Sequence, residues 1–138
     1  MRRTAAAATG RLALITDAMA ATGSPDGEYL LGSLKVKVTA GRAELSDGSS
    51  LAGSTLTMDR ALRTAVQCGV PFLDALAAVT STPARALGLD GSCGQIAIGR
   101  AADLVHLDDD LTVRAVMRRG RWVPATAARS ARMPPHAK

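Results

Sequence analysis

A chain of 138 residues, 47% hydrophobic but only 2% aromatic, is long enough to bury one core and must build it from Ala, Leu and Val. Its formal charge of +5 excludes less than it suggests. Arg2, Arg3, Arg11, Arg129, Arg132 and Lys138 lie in the terminal segments, and the remaining eleven basic residues face twelve acidic ones. With so few aromatics to stack on bases, a nucleic-acid binder is not expected. Cys68 and Cys93 form no CxxC motif and are too few for a disulfide framework. No apolar run reaches the ~18 residues of a membrane span, and the apolar part of MRRTAAAATG is too short for a secretory signal. A reduced, cytoplasmic setting without membrane attachment is the expectation.

In chain order, Leu12 to Thr16 is an almost unbroken apolar run, which suits a strand buried on both faces of a parallel α/β sheet and leaves Asp17 at its carboxyl end. The cluster Gly23-Ser24-Pro25-Asp26-Gly27 marks a turn. Leu34, Val36 and Val38 then alternate with Lys35 and Lys37, and Ala40-Gly41-Arg42 turns that strand into another over Ala43 to Leu45. After the polar loop Asp47 to Ser50, Ser54 or Thr55 is placed to cap a helix carrying Met58, Ala61, Leu62, Ala65 and Val66, ended by Gly69. Pro71 opens a second helix with Phe72, Leu73, Leu76 and Val79 expected inward. Ser81-Thr82-Pro83 starts a short third one, closed by Gly88. Gly94 to Ile98, Ala102 to Leu107 and Thr112 to Met117 read as strands, and Arg119-Gly120 as a tight reversal into Arg121 to Val123. From Pro124 onward no periodic apolar face remains, so residues 125–138 are expected to be a disordered basic tail, and residues 1–11 a disordered start.

Few residues carry chemistry. Asp17 is placed either to cap the next helix or to act in a site, since α/β sites lie at the carboxyl ends of strands. His106 and His136 make no HxH or HExxH spacing, and a strand histidine is expected to be an outward polar residue. Asp108 to Asp110 lack the alternating oxygen ligands of a calcium loop and read as a solvated turn. Cys68, with no His or basic neighbour to activate it, reads as a packed helix residue. Around Leu51-Ala52-Gly53-Ser54, glycine permits a close backbone approach to a ligand, and an ordinary Ser-capped helix explains the same residues.

The segments LALITDAMAATG, DGEYLLG, DGSSLAGSTLTMDRALRTAV, AVTSTPARALGL and GQIAIGRAADLVHLDDDLTVRAVMRRGRWV, in that order from Leu12 to Val123, resemble the carboxyl-terminal portion of the N-acetylglucosamine-6-phosphate deacetylase family of the amidohydrolase superfamily. The last segment is common to many amidohydrolases. The TDAM and LAGSTLTMD pair is more specific. The resemblance implies an α/β fold: residues 12–90 as the last strand and helices of a metal-dependent (β/α)8 hydrolase barrel, and residues 91–124 as the carboxyl-terminal strands of a small β-sandwich. It also implies that Asp17 is a general base and then acid, taking a proton from a metal-bound water that attacks the acetamide and returning it to the leaving amine. Leu51, Ala52 and Gly53 match the family's substrate-lining segment.

The resemblance further implies an amino-sugar phosphate substrate, a divalent metal such as zinc for the parent enzyme, and a homodimer. The family's metal-ligating Glu and His residues and its phosphate-binding basic residues belong to earlier barrel strands without counterpart in this sequence, so no metal ligand is assigned here. A barrel enzyme takes roughly 250 residues, and one βα unit alone exposes strand edges and apolar helix faces. The chain by itself is therefore expected to be a fragment without deacetylase activity. Two further readings stand beside this one: an interaction module that docks on another amidohydrolase chain, and part of a different amidohydrolase sharing the generic tail.

Overall fold

A computed structural model describes residue 8 and residues 10–124, so the expected tail over 125–138, with His136, and most of the expected start lie outside the described residues. Its first ordered unit is a three-stranded antiparallel meander: β1 (Gly27–Leu31), β2 (Leu34–Thr39) and β3 (Arg42–Leu45). In β2 the alternation does its expected work, with Val36 and Val38 buried while Lys35 and Lys37 stay in water. Leu34, expected inward, lies at the hairpin end and is half exposed. The reversal into β3 puts Ala40 and Gly41 at φ 50° and 74°, the left-handed pair that a two-residue hairpin requires. Asp26 locks it by accepting hydrogen bonds from the Ala40 and Gly41 amides. Met19, Ala21 and Ala52 join Val36, Val38 and Ala43 in the core over this sheet, with Tyr29 and Leu45 at its margin.

Three helices follow: α1 (Met58–Gln67), α2 (Phe72–Val79) and α3 (Ser81–Ala86). Neither Ser54 nor Thr55 caps α1. The N-cap is Thr57, and Ser54 instead closes a local turn in which its Oγ accepts the Leu56 amide at 2.8 Å. Gly69 ends α1 as expected, at φ 81°, donating to the Val66 carbonyl. The inward face of α2 differs from expectation: Ala75 and Ala78 are buried, whereas Phe72 and Leu73 are 45% and 74% exposed. The alanines take the buried positions, Leu76 and Val79 are half-buried, and Phe72 and Leu73 at the start of the helix point away. Leu62, Ala65, Val70 and Ala75 form a second core, to which Leu12, Leu14, Val79, Leu107 and Leu111 contribute from the margin.

The expected strand over Leu12 to Thr16 is not one. The segment makes one main-chain bond to α2, from the Leu14 amide to the Ala78 carbonyl, and Ile15 is 77% exposed. A parallel strand needs ladder partners on its flanks, and none runs beside these residues among those described. The expected strand over Gly94 to Ile98 is also absent. Ile96 and Ile98 are exposed, and the loop is tied by the Arg100 guanidinium to the carbonyls of Asp90 and Cys93. The chain closes with β4 (Leu104–Leu107), β5 (Val113–Arg118) and β6 (Arg121–Trp122), a second antiparallel sheet in sequential order. Asp108, expected only to be solvated, organises the β4–β5 turn by accepting from the Thr112 and Asp110 amides and pairing with Arg114. Among the described residues no helix is long and apolar enough to cross a membrane.

Candidate functional site

The residues around Asp17 and those around Gly53, 36 positions apart, meet. Segment 50–54 is sewn to the first sheet on one side: Leu45 N–H donates to the Ser50 carbonyl and Ala52 N–H to the Ala43 carbonyl, both at 3.0 Å, and Glu44 and Leu51 form an antiparallel bridge. On its other side Ser54 N–H donates to the Asp17 carbonyl at 2.8 Å, and Met19 N–H donates to the Ser54 carbonyl at 2.9 Å, a parallel bridge centred on Ala18 and Ser54. The antiparallel meander is thus continued by two short segments, and Asp17 stands at the end of the outermost one.

Asp17 adopts φ 52°, a left-handed conformation that aspartate tolerates better than most side chains. Its neighbour across the bridge explains how this is accommodated. Gly53 sits at φ 72°, and a Cβ added there would lie 3.2 Å from the Asp17 carbonyl oxygen and 3.2 Å from Met19 Cβ. Glycine at 53 is required twice, by its own backbone angle and by the approach of the Asp17 main chain. The Asp17 side chain is exposed and makes no hydrogen bond to another described residue, so its carboxylate is available to solvent or a ligand.

Of the candidate lining residues, Leu51 is 63% exposed and Gly53 is exposed, beside Asp17; the Ala52 side chain is packed in the core at 4% exposure. Ala52 therefore anchors the loop, leaving the Leu51 side chain and the Gly53 main chain to face outward. Thr22 is the residue that sequence reasoning missed, and Ser54, read there as a helix cap, instead joins the two segments. The Thr22 hydroxyl donates to the Ser54 carbonyl at 3.1 Å. Its only signal was position, five residues beyond Asp17 in the TDAMAATG run.

Other candidates fall away from this place. His106 is exposed in β4, opposite Ala115, and Cys68, expected to be packed, is exposed at the carboxyl end of α1. An open groove of about 430 Å³ lies on the β4–β5 sheet, lined by Val105, Val116 and Val123 among others, and includes no residue of the Asp17 cluster. Among the described residues no group of three or more His, Cys, Asp or Glu side chains could hold a metal ion. They do not by themselves build a centre for the divalent ion that the sequence resemblance implies.

The model of the amidohydrolase family matches residues 12–123. The chain belongs to the amidohydrolase family. Within it, the chain is 39% identical over 114 residues to N-acetylglucosamine-6-phosphate deacetylase of Vibrio furnissii, covering 82% of this chain and 28% of that protein. It is 41% identical over 112 residues to N-acetylgalactosamine-6-phosphate deacetylase of Escherichia coli O157:H7, covering 80% and 29%. Among solved structures, N-acetylglucosamine-6-phosphate deacetylase from Pasteurella multocida superposes with a TM-score of 0.83 at 30% identity, over 88% of this chain and 32% of that one. The Mycobacterium smegmatis enzyme gives 0.78 at 47% identity, over 89% and 34%. This amidohydrolase chain therefore spans about a third or less of the length of these relatives.

Proposed function

We propose that this chain is the Asp17-bearing portion of a deacetylase acting on N-acetylhexosamine 6-phosphates, and that Asp17 is its acid/base group. The observation that supports this most is the meeting of Asp17 with the Leu51–Gly53 loop, in a chain 39% and 47% identical to such deacetylases. In the reaction a water attacks the acetyl carbonyl and gives its proton to the Asp17 carboxylate. The C–N bond then breaks, Asp17 returns that proton to the departing amine, and acetate and a hexosamine 6-phosphate leave. An exposed carboxylate with free lone pairs suits both steps, because the same group must accept and then donate within hydrogen-bond reach. The Gly53–Ser54 main chain packs against the Asp17 main chain, and Leu51 on the same loop is exposed.

On this reading Asp17 is the acid/base group, and among the described residues no cluster of three or more His, Cys, Asp or Glu side chains stands ready for a metal, so the 138-residue chain assayed alone is expected to release no acetate. The test is a chimera of the Mycobacterium smegmatis deacetylase whose matching third is replaced by residues 12–123. The chimera is expected to release acetate from N-acetylglucosamine 6-phosphate, and Asp17→Asn to lower its kcat by about 10²–10⁴-fold. An active chimera indifferent to Asp17→Asn removes Asp17 from the chemistry. Similarity to a galactosamine-type enzyme gives a second reading of the substrate, its 4-epimer, and assaying both sugars on the chimera separates the two.

A further inference from the structure

We infer that Thr22 is a positioning residue for Asp17, acting through the Ser54 carbonyl; this rests on the reading of Asp17 as the acid/base group. Three contacts hold the two segments together. Ser54 N–H donates to the Asp17 carbonyl at 2.8 Å, and the Ser54 carbonyl accepts from Met19 N–H at 2.9 Å and from the Thr22 hydroxyl at 3.1 Å. Only the last uses a side chain, so it is the one that a substitution can remove while leaving the backbone intact. Thr22 reaches a residue 32 positions further along the sequence, Ser54, while in the tight turn its own amide donates to the Met19 carbonyl at 2.9 Å. That turn places residues 19 to 22 as a brace, anchored by its own buried Met19 and Ala21 side chains.

The brace has something to hold. Asp17 stands at φ 52°, off the broad minima of a residue with a Cβ, and Ile15 and Thr16 before it make no ladder that would fix it from the amino-terminal side. Thr16 Oγ1, accepting from the Ala18 amide at 3.3 Å, closes a local turn over Asp17, and across the bridge the Asp17 main chain is held by Ser54 and by the space that Gly53 leaves at 3.2 Å from its carbonyl oxygen. Loosening the Ser54 carbonyl weakens the bridge that holds the Asp17 main chain beside Gly53 and frees Asp17 to leave the left-handed conformation.

The test uses the full chain, with Leu73→Lys and Ile96→Lys on two exposed sites remote from Asp17 to keep it monomeric at NMR concentrations, and reads Asp17 directly. By NMR the chain with Thr22 in place is expected to show left-handed Cα and Cβ shifts at Asp17 and protected amides at Met19 and Ser54. Thr22→Val is expected to lose the left-handed signature. It should also exchange the Met19 and Ser54 amides about five- to tenfold faster, the fold-change that one net hydrogen bond is worth, while Leu62 and Ala65 amides in α1 keep their rates. Thr22→Ser restores both readouts, and Gly53→Ala loses the Asp17 signature from the other side of the bridge. Uniform acceleration at every amide would make Thr22 merely structural and overturn the inference. So would an unchanged Asp17 in Thr22→Val, or a chain with Thr22 in place whose Asp17 is not left-handed. None of these readouts needs turnover, so a failure here is separate from a failure of the chimera.

Discussion

At Asp17 two demands meet on one residue, and they separate by substitution. The backbone asks for a residue that tolerates φ 52°; the proposed chemistry asks for a carboxylate. Asparagine meets the first demand and not the second, because it visits the left-handed region as readily as aspartate. Asp17→Asn is therefore expected to leave the stability of the chain within about 0.5 kcal/mol of its original value. Asp17→Val, β-branched in a left-handed position, is expected to cost about 1–2 kcal/mol. Urea denaturation of the two variants checks this, and equal losses would mean that the backbone at 17 is not held where it stands. The sequence alone marks Asp17 by its place after an apolar run, yet that place is equally one for a helix cap. What distinguishes it is Ser54, whose bonds to Asp17 and Met19 join residues too distant for any local pattern to reveal.

Among the elements, those set by near neighbours were legible. The β2–β3 turn needs Ala40-Gly41, α1 ends where Gly69 allows a left-handed turn, and the Arg119-Gly120 reversal takes φ 48° and 76°. Those set by distant partners were not. Leu12 to Thr16 has strand composition but no ladder beside it among the described residues, β1 lacks a clear alternation and takes its register from β2, and α2 buries Ala75 and Ala78, with Val79 at the core margin, rather than Phe72 and Leu73. Gly94 shows the same dependence. Its local pattern reads as the start of a strand, whereas a Cβ there would come within 2.6 Å of Ala84 Cβ and 3.0 Å of the Thr80 carbonyl oxygen, at φ 86°. The loop after α3 is thus folded back on the helix through a position that only glycine fills, and Gly94→Ala is expected to destabilise the chain by about 1–3 kcal/mol, read as a lowered Tm. An unchanged Tm would detach that loop from α3. Acid acts on elements too. At Asp59 partial burial raises the pKa, but the Thr57 hydroxyl and Arg63 outweigh it. At Asp108 the Thr112 amide, with Arg114, holds the carboxyl below its ordinary 3.8. Each contributes stability above the unfolded value that is lost as pH falls through the lowered folded one. Unfolding midpoints should fall below about pH 4, and more shallowly in an Asp59→Asn, Asp108→Asn double variant; parallel curves would contradict this.

For the molecule as a whole, the two cores are small and the apolar surface is large. The buried set is mostly alanine and valine, with Leu62 and Met19 its largest members, while Ile15, Leu73, Leu87, Ile96 and Ile98 are each at least 73% exposed. Single exposed apolar residues are ordinary, but here they recur on the segment before Asp17, on α2, beyond α3 and in the loop before β4, so they cover several faces. The Vibrio furnissii and Pasteurella multocida relatives of this amidohydrolase chain are about three times its length, and in a longer chain such faces have other segments to pack against. In water alone they have each other. The purified 138-residue chain is accordingly expected to self-associate at about 10–100 μM, the range in which exposed apolar surface drives aggregation. Light scattering should give masses above 14.2 kDa that rise with concentration. Leu73→Lys with Ile96→Lys, which charge two of these sites without touching either core, should shift the chain towards monomer while leaving its circular dichroism unchanged. A monodisperse 14.2 kDa species across that range would mean that these side chains are covered within one chain, and the exposure of α2 and of the loop before β4 would have to be revised.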